Sequence, residues 1–540
     1  MRATMMQVPL NLSHFLERAG RLFGGQQIVS RLPDKSLHRY TYLDFYRRAR
    51  RLAEALTRAG LKRGDRVATL MWNHYAHYES YFGIIVAGGV LHTLNLRLAP
   101  EEIAWIATHA EDRFLIVDDV LLPLFEQIRT RVNLERVIVV PLTGKPVSAG
   151  FDDYEEFLNT ASGNFAYPRM DENEPCAMCY TSGTTGRPKG VVYSHRSQVL
   201  HSLAQAMPDA LGMSGTDVVL PVVPMFHANA WGIPYTAAML GTKMVFPGPH
   251  LHPQDLLPLL EGEQVTISCG VPTIWLPLVQ ILEQNRGKLR LHPRLRLTVG
   301  GSAVPEAMIR SYAKLGIEVL QGWGMTETSP LASLSRITAQ QQGLSEDEKF
   351  AVMAMQGYPL PLVEVRAVSD EGETPWDGKT VGEVQVHGPW ITGSYHSQAT
   401  PENFAPDGWL RTGDVASIDP LGFIRITDRT KDLIKSGGEW ISSVDLENAI
   451  MGHPCVQEAA VVAVPHPKWS ERPLAVIVLK PGTQATEADI RAHLSRQFVK
   501  WMVPDAFVFV DAIPRTSTGK FLKTKLREQY RQWQWAETSS

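Results

Sequence analysis

Long apolar runs are missing from this 540-residue chain. None reaches the ~18 residues that a bilayer-spanning helix needs. The longest candidate, YFGIIVAGGV (81–90), is short and broken by glycine, so no integral membrane segment is expected. Charge of one sign is missing too: 53 Lys and Arg stand against 56 Asp and Glu, a formal net charge of -3. That balance gives no electrostatic reason to expect nucleic acid or a membrane surface as partner. The opening MRATMMQVPLNLSHF lacks the apolar stretch of a secretory signal, and AETSS is no recognised address. The cytoplasm is the expected compartment.

Cysteine is scarce, with four in the chain. Cys176 and Cys179 form a C-x-x-C, but no second pair of comparable spacing accompanies them, which argues against a structural zinc site. If PCAMCY is a strand, residues three apart point to opposite faces, so a disulfide is disfavoured. Two buried, small, apolar side chains are expected instead. No repeat or low-complexity segment stands out.

What is present is a chain of 60.1 kDa, more than one core usually supports, so several lobes are expected. The first 120 residues alternate helix and strand. Thr41 precedes an apolar-periodic run with Asp44 three residues on, a capping signal, and Phe45, Ala49, Leu52 and Leu56 fall on one helical stripe. RVATLM (66–71) reads as a buried strand, followed by a helix near 76–87, a strand near VLHTLN, a helix after Pro100 and the strand RFLIVD (113–118). Similar alternation between 196 and 325 runs TKMVFPG, VTISCG, LRLTVGG and IEVLQGWG into loops. This pattern predicts an α/β fold of doubly wound sheets, with ligands at the carboxyl ends of strands. From about 355 to 427 the texture changes to short β-like runs, predicting a small β-barrel-like antiparallel subdomain. The last hundred residues predict a compact α+β module, with the boundary at 428–432.

Five segments carry candidate chemistry. YTSGTTGRPKG (180–190) lies between apolar stretches as a strand–loop–strand. Its glycines let backbone N–H groups turn toward an anion, and Thr181, Ser182, Thr184, Thr185 and Lys189 add donors around Gly183. It departs from the common NTPase loop, because the position five after Gly183, a glycine in that loop, is Pro188, and Lys189 is followed by glycine. VLQGWGMTETSP (319–330) puts Thr326 and Glu327 after a glycine-rich turn, where a carboxylate beside phosphates would suit Mg²⁺. GWLRTGDVASID (408–419) places Asp414 in an expected tight turn, as an acceptor for vicinal ribose hydroxyls. ITDRTKDLIKSGGEWIS (426–442) combines Arg429, Lys431, Asp432 and Lys435 with Gly437-Gly438. IPRTSTGKFLK (513–523) presents Lys520 where a helix is expected to begin. Each alone is also an ordinary turn, linker or surface charge.

In this order, across about 340 residues, the five resemble the adenylate-forming superfamily of acyl-CoA synthetases, luciferases and peptide-synthetase adenylation domains, the AMP-dependent synthetases and ligases. PMFHANAWG (224–232) and GGEWISSVDLENAI (437–450) resemble the bacterial medium- and long-chain fatty acyl-CoA synthetases more than the other branches. The resemblance implies a large N-terminal domain (1–428), a hinge at 429–435 and a small mobile C-terminal domain (436–540). It implies that a carboxylate attacks the α-phosphate of ATP, releasing pyrophosphate, and that the CoA thiol then takes the acyl group, releasing AMP. Thr184 and Glu327 would contact Mg²⁺. Gly301, Gln321, Gly322, Trp323 and Thr326 would line the nucleotide site, and Asp414 and Arg429 would hold the ribose. Lys520 would bridge the two anions during adenylation, and Lys431 would occupy the hinge. Lys435 and Trp440 would stand beside the nucleotide in one domain orientation, with Gly437 and Gly438 close to the CoA arm. His227 and Trp231 would wall the acyl pocket, the tryptophan as a gate, with Val271, Pro272 and Trp275 as further walls. Relatives of this kind also suggest a homodimer.

A fatty acid of medium to long chain is the expected substrate. A short sulfur-containing acid such as methylmercaptopropionate, or an aryl acid, is the near rival. A luciferase-type oxygenase, an enzyme loading a carrier protein and a non-catalytic acyl-adenylate sensor are more distant alternatives.

Overall fold

The computed structural model describes residues 3–181, 187–436, 439–516 and 519–535. Two large sheets dominate the first 360 residues. In the seven-stranded sheet, Arg66–Leu70, Val90–Thr93, Asp112–Asp118 and Pro175–Tyr180 run parallel, and Gly190–Ser194 returns antiparallel at the edge. The nine-stranded sheet has a parallel centre of Val218–Pro221, Ile267–Gly270, Arg296–Val299 and Glu318–Gly324. Helices separate the parallel strands in sequence, as the alternating pattern requires.

The local signals read from the sequence are present. Thr41 caps the helix Tyr42–Arg58: its side chain accepts from Asp44 N, and Asp44 accepts in return from Thr41 N at 3.0 Å. Phe45, Ala49, Leu52 and Leu56 form its buried face. The helix Tyr75–Val86 is buried almost all round, as expected for a helix without a polar face. It belongs to a core that includes Val67 and Leu91 of one sheet and Val219 and Met244 of the other. Its one carboxylate, Glu79, is compensated by Arg48 Nε at 2.7 Å and by the Tyr154 hydroxyl at 2.8 Å, which a buried charge requires.

Pro175–Tyr180 and Gly190–Ser194 are the antiparallel strand–loop–strand expected around the glycine-rich loop. Cys176 and Cys179 are buried free thiols within it. A third, five-stranded antiparallel sheet spans Glu364 to Arg429 as an open ladder. The final module pairs Val456–His466 with Ser470–Leu479, adds Ala506–Phe509 in parallel, and carries helices Ser443–Met451, Glu487–Leu494 and Lys523–Gln529. One detail differs from the sequence reading: the last helix begins three residues after Lys520, at Lys523.

Contacts between the β subdomain and the final module concentrate where the chain crosses from one to the other. Asp428 Oδ2 accepts from Ser443 N at 2.8 Å and from Ser443 Oγ at 2.6 Å. Lys523 Nζ reaches Ser443 Oγ at 2.5 Å and Glu447 Oε1 at 2.7 Å. Arg527 pairs with Asp432.

Candidate active site

The carboxyl ends of Arg296–Val299 and Glu318–Gly324 open into a cavity of about 330 Å³, a size suited to a small-molecule ligand. The first strand delivers Gly300 and Gly301, and the second Gly322, Trp323, Thr326 and Glu327. Thr181 and Lys189 line the mouth from the neck of the glycine-rich loop. They close that neck with Thr181 N donating to Lys189 O at 2.9 Å and Lys189 N donating to Thr181 Oγ1 at 3.0 Å. The Lys189 ammonium donates to Asn403 Oδ1 at 2.7 Å and lies 4.9 Å from the Tyr395 ring centre. The tip of the loop, including Ser182, Gly183, Thr184 and Thr185, lies outside the described residues.

Glu327 is buried, and burial raises its pKa, opposed by a hydrogen bond from Tyr395 and by the Arg429 and Lys189 cations. The Tyr395 hydroxyl donates to Glu327 Oε1 at 2.8 Å. A single carboxylate facing a cavity beside a glycine-rich loop is the kind of oxygen donor that Mg²⁺ takes.

Asp414 was expected in a tight turn. It lies instead within the strand Leu410–Ile418, in register with Arg429. The cause is Gly413, whose φ of 71° and the adjacent bulge bend the strand without ending it. Both Asp414 oxygens are used. Oδ2 accepts from Trp323 Nε1 at 2.8 Å and Oδ1 from Arg429 Nε at 3.1 Å.

Lys520 comes to the cavity from the final module. Its turn is closed by Thr516 N to Lys520 O at 2.7 Å and Lys520 N to Thr516 Oγ1 at 3.1 Å. The turn seats against Gly301, where φ is 84° and an added Cβ would lie 3.3 Å from Val271 and 3.6 Å from Lys520 Cε. Removal from water lowers the Lys520 pKa to about 8, with Arg429 and Lys431 adding repulsion and Asp414 and Glu327 opposing it. Arg429 and Lys431 line the same cavity.

Gln205, Leu211, His227, Trp231 and Leu331 also line the cavity. His227 is held neutral, its pKa pushed down to about 4 by burial and by the Lys520 and Arg97 cations. Trp231 ends a run of four non-glycine residues with left-handed backbone, Ala228 to Trp231, and Gly232 continues it. Such conformations cost roughly 1–2 kcal/mol per residue, and strain of this kind gathers at functional sites.

Several expected site residues stand elsewhere. Gln321 is buried behind the cavity with its Oε1 unpartnered. Val271 packs under the Lys520 turn, and Trp275 is fully buried in the core with Leu278 and Leu297. Lys435 and Trp440 pair with each other at 5.4 Å on a hairpin, with Trp440 52% exposed. Gly437 and Gly438 lie outside the described residues. Tyr395, Gln205 and Leu211 carried no signal in sequence, because each is brought in by packing from a segment with no motif of its own.

A glycine-rich loop at a strand end, a carboxylate beside it and a lysine delivered from a second module define a nucleotide-dependent enzyme of the adenylating class. Residues 16–396 match the AMP-binding enzyme family and residues 445–520 the AMP-binding enzyme C-terminal domain; the chain belongs to this family. It is 52% identical to a long-chain-fatty-acid–CoA ligase of Thermus thermophilus, covering 98% of this chain and 97% of that one. It is 44% identical to a 3-methylmercaptopropionyl-CoA ligase of Ruegeria pomeroyi (98% and 99%) and 43% identical to a medium-chain-fatty-acid–CoA ligase of Ectopseudomonas oleovorans (98% and 98%). Among solved structures, the anthranilate CoA ligase AuaEII in complex with anthranoyl-AMP superposes with a TM-score of 0.86 at 25% identity, over 98% of this chain and 99% of that one.

Proposed function

We propose that the protein is a fatty acid–CoA ligase: it activates a medium- to long-chain fatty acid with ATP and transfers the acyl group to CoA. In the first step a carboxylate oxygen bonds to the α-phosphorus, the bridging P–O bond to the β-phosphate breaks, and pyrophosphate leaves. In the second the CoA sulfur bonds to the acyl carbon, the mixed-anhydride C–O bond breaks, AMP leaves, and the thiol proton passes to solvent.

The observation that carries this reading is the delivery of Lys520 to a cavity already lined by Glu327 and Arg429. Two anions must meet for adenylation, and a fixed cation offsets their repulsion as charge shifts in the transition state. Asp414, oriented by Trp323 and Arg429, accepts from ribose hydroxyls. The glycine-rich loop, ending at Lys189, holds the β- and γ-phosphates as a leaving group. Glu327, with Thr184, would hold Mg²⁺, which neutralises phosphate charge when bound. His227 and Trp231 flank the acyl chain, and as a neutral imidazole His227 adds no charge there.

We further propose that residues 429–435 are a hinge between domains 1–428 and 436–540, and that Lys431 lies at its pivot. The supporting observation is that Lys520 lines the cavity while Trp440, on the same module, and Lys435, at the end of the hinge, stand outside it. Rotation after adenylation would exchange the two sets and bring Gly437-Gly438 to the CoA arm. We place the enzyme in the cytoplasm as a homodimer, a reading that rests on the resemblance to the ligases; no helix among the described residues is long and apolar enough to cross a membrane.

The 3-methylmercaptopropionyl-CoA ligase relative and the polar Gln205 at the acyl end favour a second reading, a short thioether acid. Pyrophosphate release measured over acids of graded length, from methylmercaptopropionate to palmitate with benzoate included, separates the two. An optimum at octanoate or beyond is expected, and an optimum at a short or aromatic acid would overturn the fatty-acid reading.

A further inference from the structure

We propose that Thr236 and Gln205 form a hydrogen-bonded prop that fixes the position of Trp231 at the acyl end of the cavity, and thereby sets which acid lengths are accepted. This rests on the ligase reading above and adds two residues to it, of which Thr236 does not line the cavity.

The backbone from Ala228 to Gly232 runs through φ values of 42°, 51°, 48°, 59° and 74°. Five successive left-handed residues, four of them with a Cβ, do not hold themselves. Two backbone bonds close the turn, Ala230 N to His227 O at 3.1 Å and Gly232 N to Asn229 O at 3.0 Å. Asn229 is pinned at its side chain, where Oδ1 accepts from Cys179 Sγ at 3.1 Å. The peptide of Trp231 itself is held by Gln205, whose Nε2 donates to the Trp231 carbonyl at 2.8 Å.

Gln205 is held in turn. Thr236 Oγ1 donates to Gln205 Oε1 at 2.7 Å, from a site fully buried against the same turn. The amide has only one workable orientation: reversed, its oxygen would face the Trp231 carbonyl oxygen, and neither can donate. Four residues earlier on the helix His195–Ala206, His201 packs the same turn, since a Cβ on Gly232 would lie 2.8 Å from its Nδ1. Its Nε2 accepts from Leu331 N at 3.2 Å. One helix face therefore ties together two walls of the acyl end, the Trp231 turn and Leu331. A turn under backbone strain relaxes when a tie is cut, and the tryptophan it carries then shifts relative to the cavity.

The test is a specificity profile. Thr236→Val removes the donor without touching the cavity lining, and Thr236→Ser restores the hydroxyl. The kcat/KM values for hexanoate, octanoate, dodecanoate and palmitate are measured for each, with KM for ATP alongside. In Thr236→Val the ratio between the preferred acid and the acid farthest from it in length should change by tenfold or more, with KM for ATP within twofold of the parent, and Thr236→Ser should restore the parent ratio. The prop is wrong if Thr236→Val lowers all four acids by one factor, or if Thr236→Ser behaves like Thr236→Val. Should Thr236→Val fail to fold, Gln205→Met, which keeps the volume but neither donates nor accepts there, is judged by the same ratio. A parent enzyme inactive on all four acids would overturn the fatty-acid reading instead, a result distinct from either outcome for the prop.

Discussion

Trp323 and Asp414 stand 91 residues apart in sequence, yet the indole N–H donates to the Asp414 carboxylate at 2.8 Å. The bond joins the end of a strand in the nine-stranded sheet to the antiparallel subdomain and fixes the carboxylate between Trp323 and Arg429, both of which line the cavity. Trp323→Phe keeps the ring and removes the donor. Bonds to a charged group contribute about 1.5–3 kcal/mol, so AMP affinity measured by calorimetry should weaken by roughly tenfold or more. Unchanged affinity would show that nucleotide binding does not depend on this bond.

The lowered pKa of Lys520 predicts a limit on the alkaline side. In the role proposed for Lys520 the ammonium is the working form, and with the pKa lowered to about 8 it is lost below the ordinary lysine range. For the free enzyme, kcat/KM for pyrophosphate release should therefore fall as pH rises through about 8. Bound anions favour the cation, so kcat should break at higher pH. Lys520→Ala should cost roughly 10²–10³ in adenylation, as for a lost oxyanion donor, while thioester formation from supplied acyl-adenylate is largely retained. Equal loss in both half-reactions would contradict the two-position reading.

Tyr395 is expected to govern the metal requirement. Burial pushes the Glu327 pKa up and the Tyr395 hydroxyl opposes that shift. Tyr395→Phe should raise it further, so that protons compete better with Mg²⁺. Titrating Mg²⁺ in the pyrophosphate-release assay should show a raised requirement, and the increase should grow as pH is lowered. An increase of equal size at every pH would point to lost packing.

Lys523 sits among Glu447, Asp428 and Ser443 where the final module meets the rest of the chain. Lys523→Met leaves two buried carboxylates uncompensated, which costs about 3–5 kcal/mol when one partner of a buried pair is removed. Chemical denaturation should register that loss, and the pair Lys523→Met with Glu447→Gln should recover part of it. Strict additivity of the two changes would mean that the ion pair does not couple them.

The sequence by itself determined the elements and the chemistry-bearing positions. Thr41 with Asp44 marks a helix start because a cap needs only neighbours, and the alternation of helix and strand marks the α/β class because it follows from local period. The glycine-rich loop, the Glu327 segment and the Lys520 turn are likewise short runs whose residue types announce anions. Tertiary structure alone decided what meets what. Tyr395 reaching Glu327, Trp323 orienting Asp414 and Gln205 holding the Trp231 carbonyl all join segments far apart along the chain. Asp414 was legible as an acceptor but misplaced in a turn, since a bulge after a glycine reads locally like one. Trp275 shows the same limit, because an aromatic residue after a strand looks alike whether it faces the core or the cavity. Local pattern fixes a residue's conformation and chemical type; its partner is set by packing between distant segments, which no local period encodes.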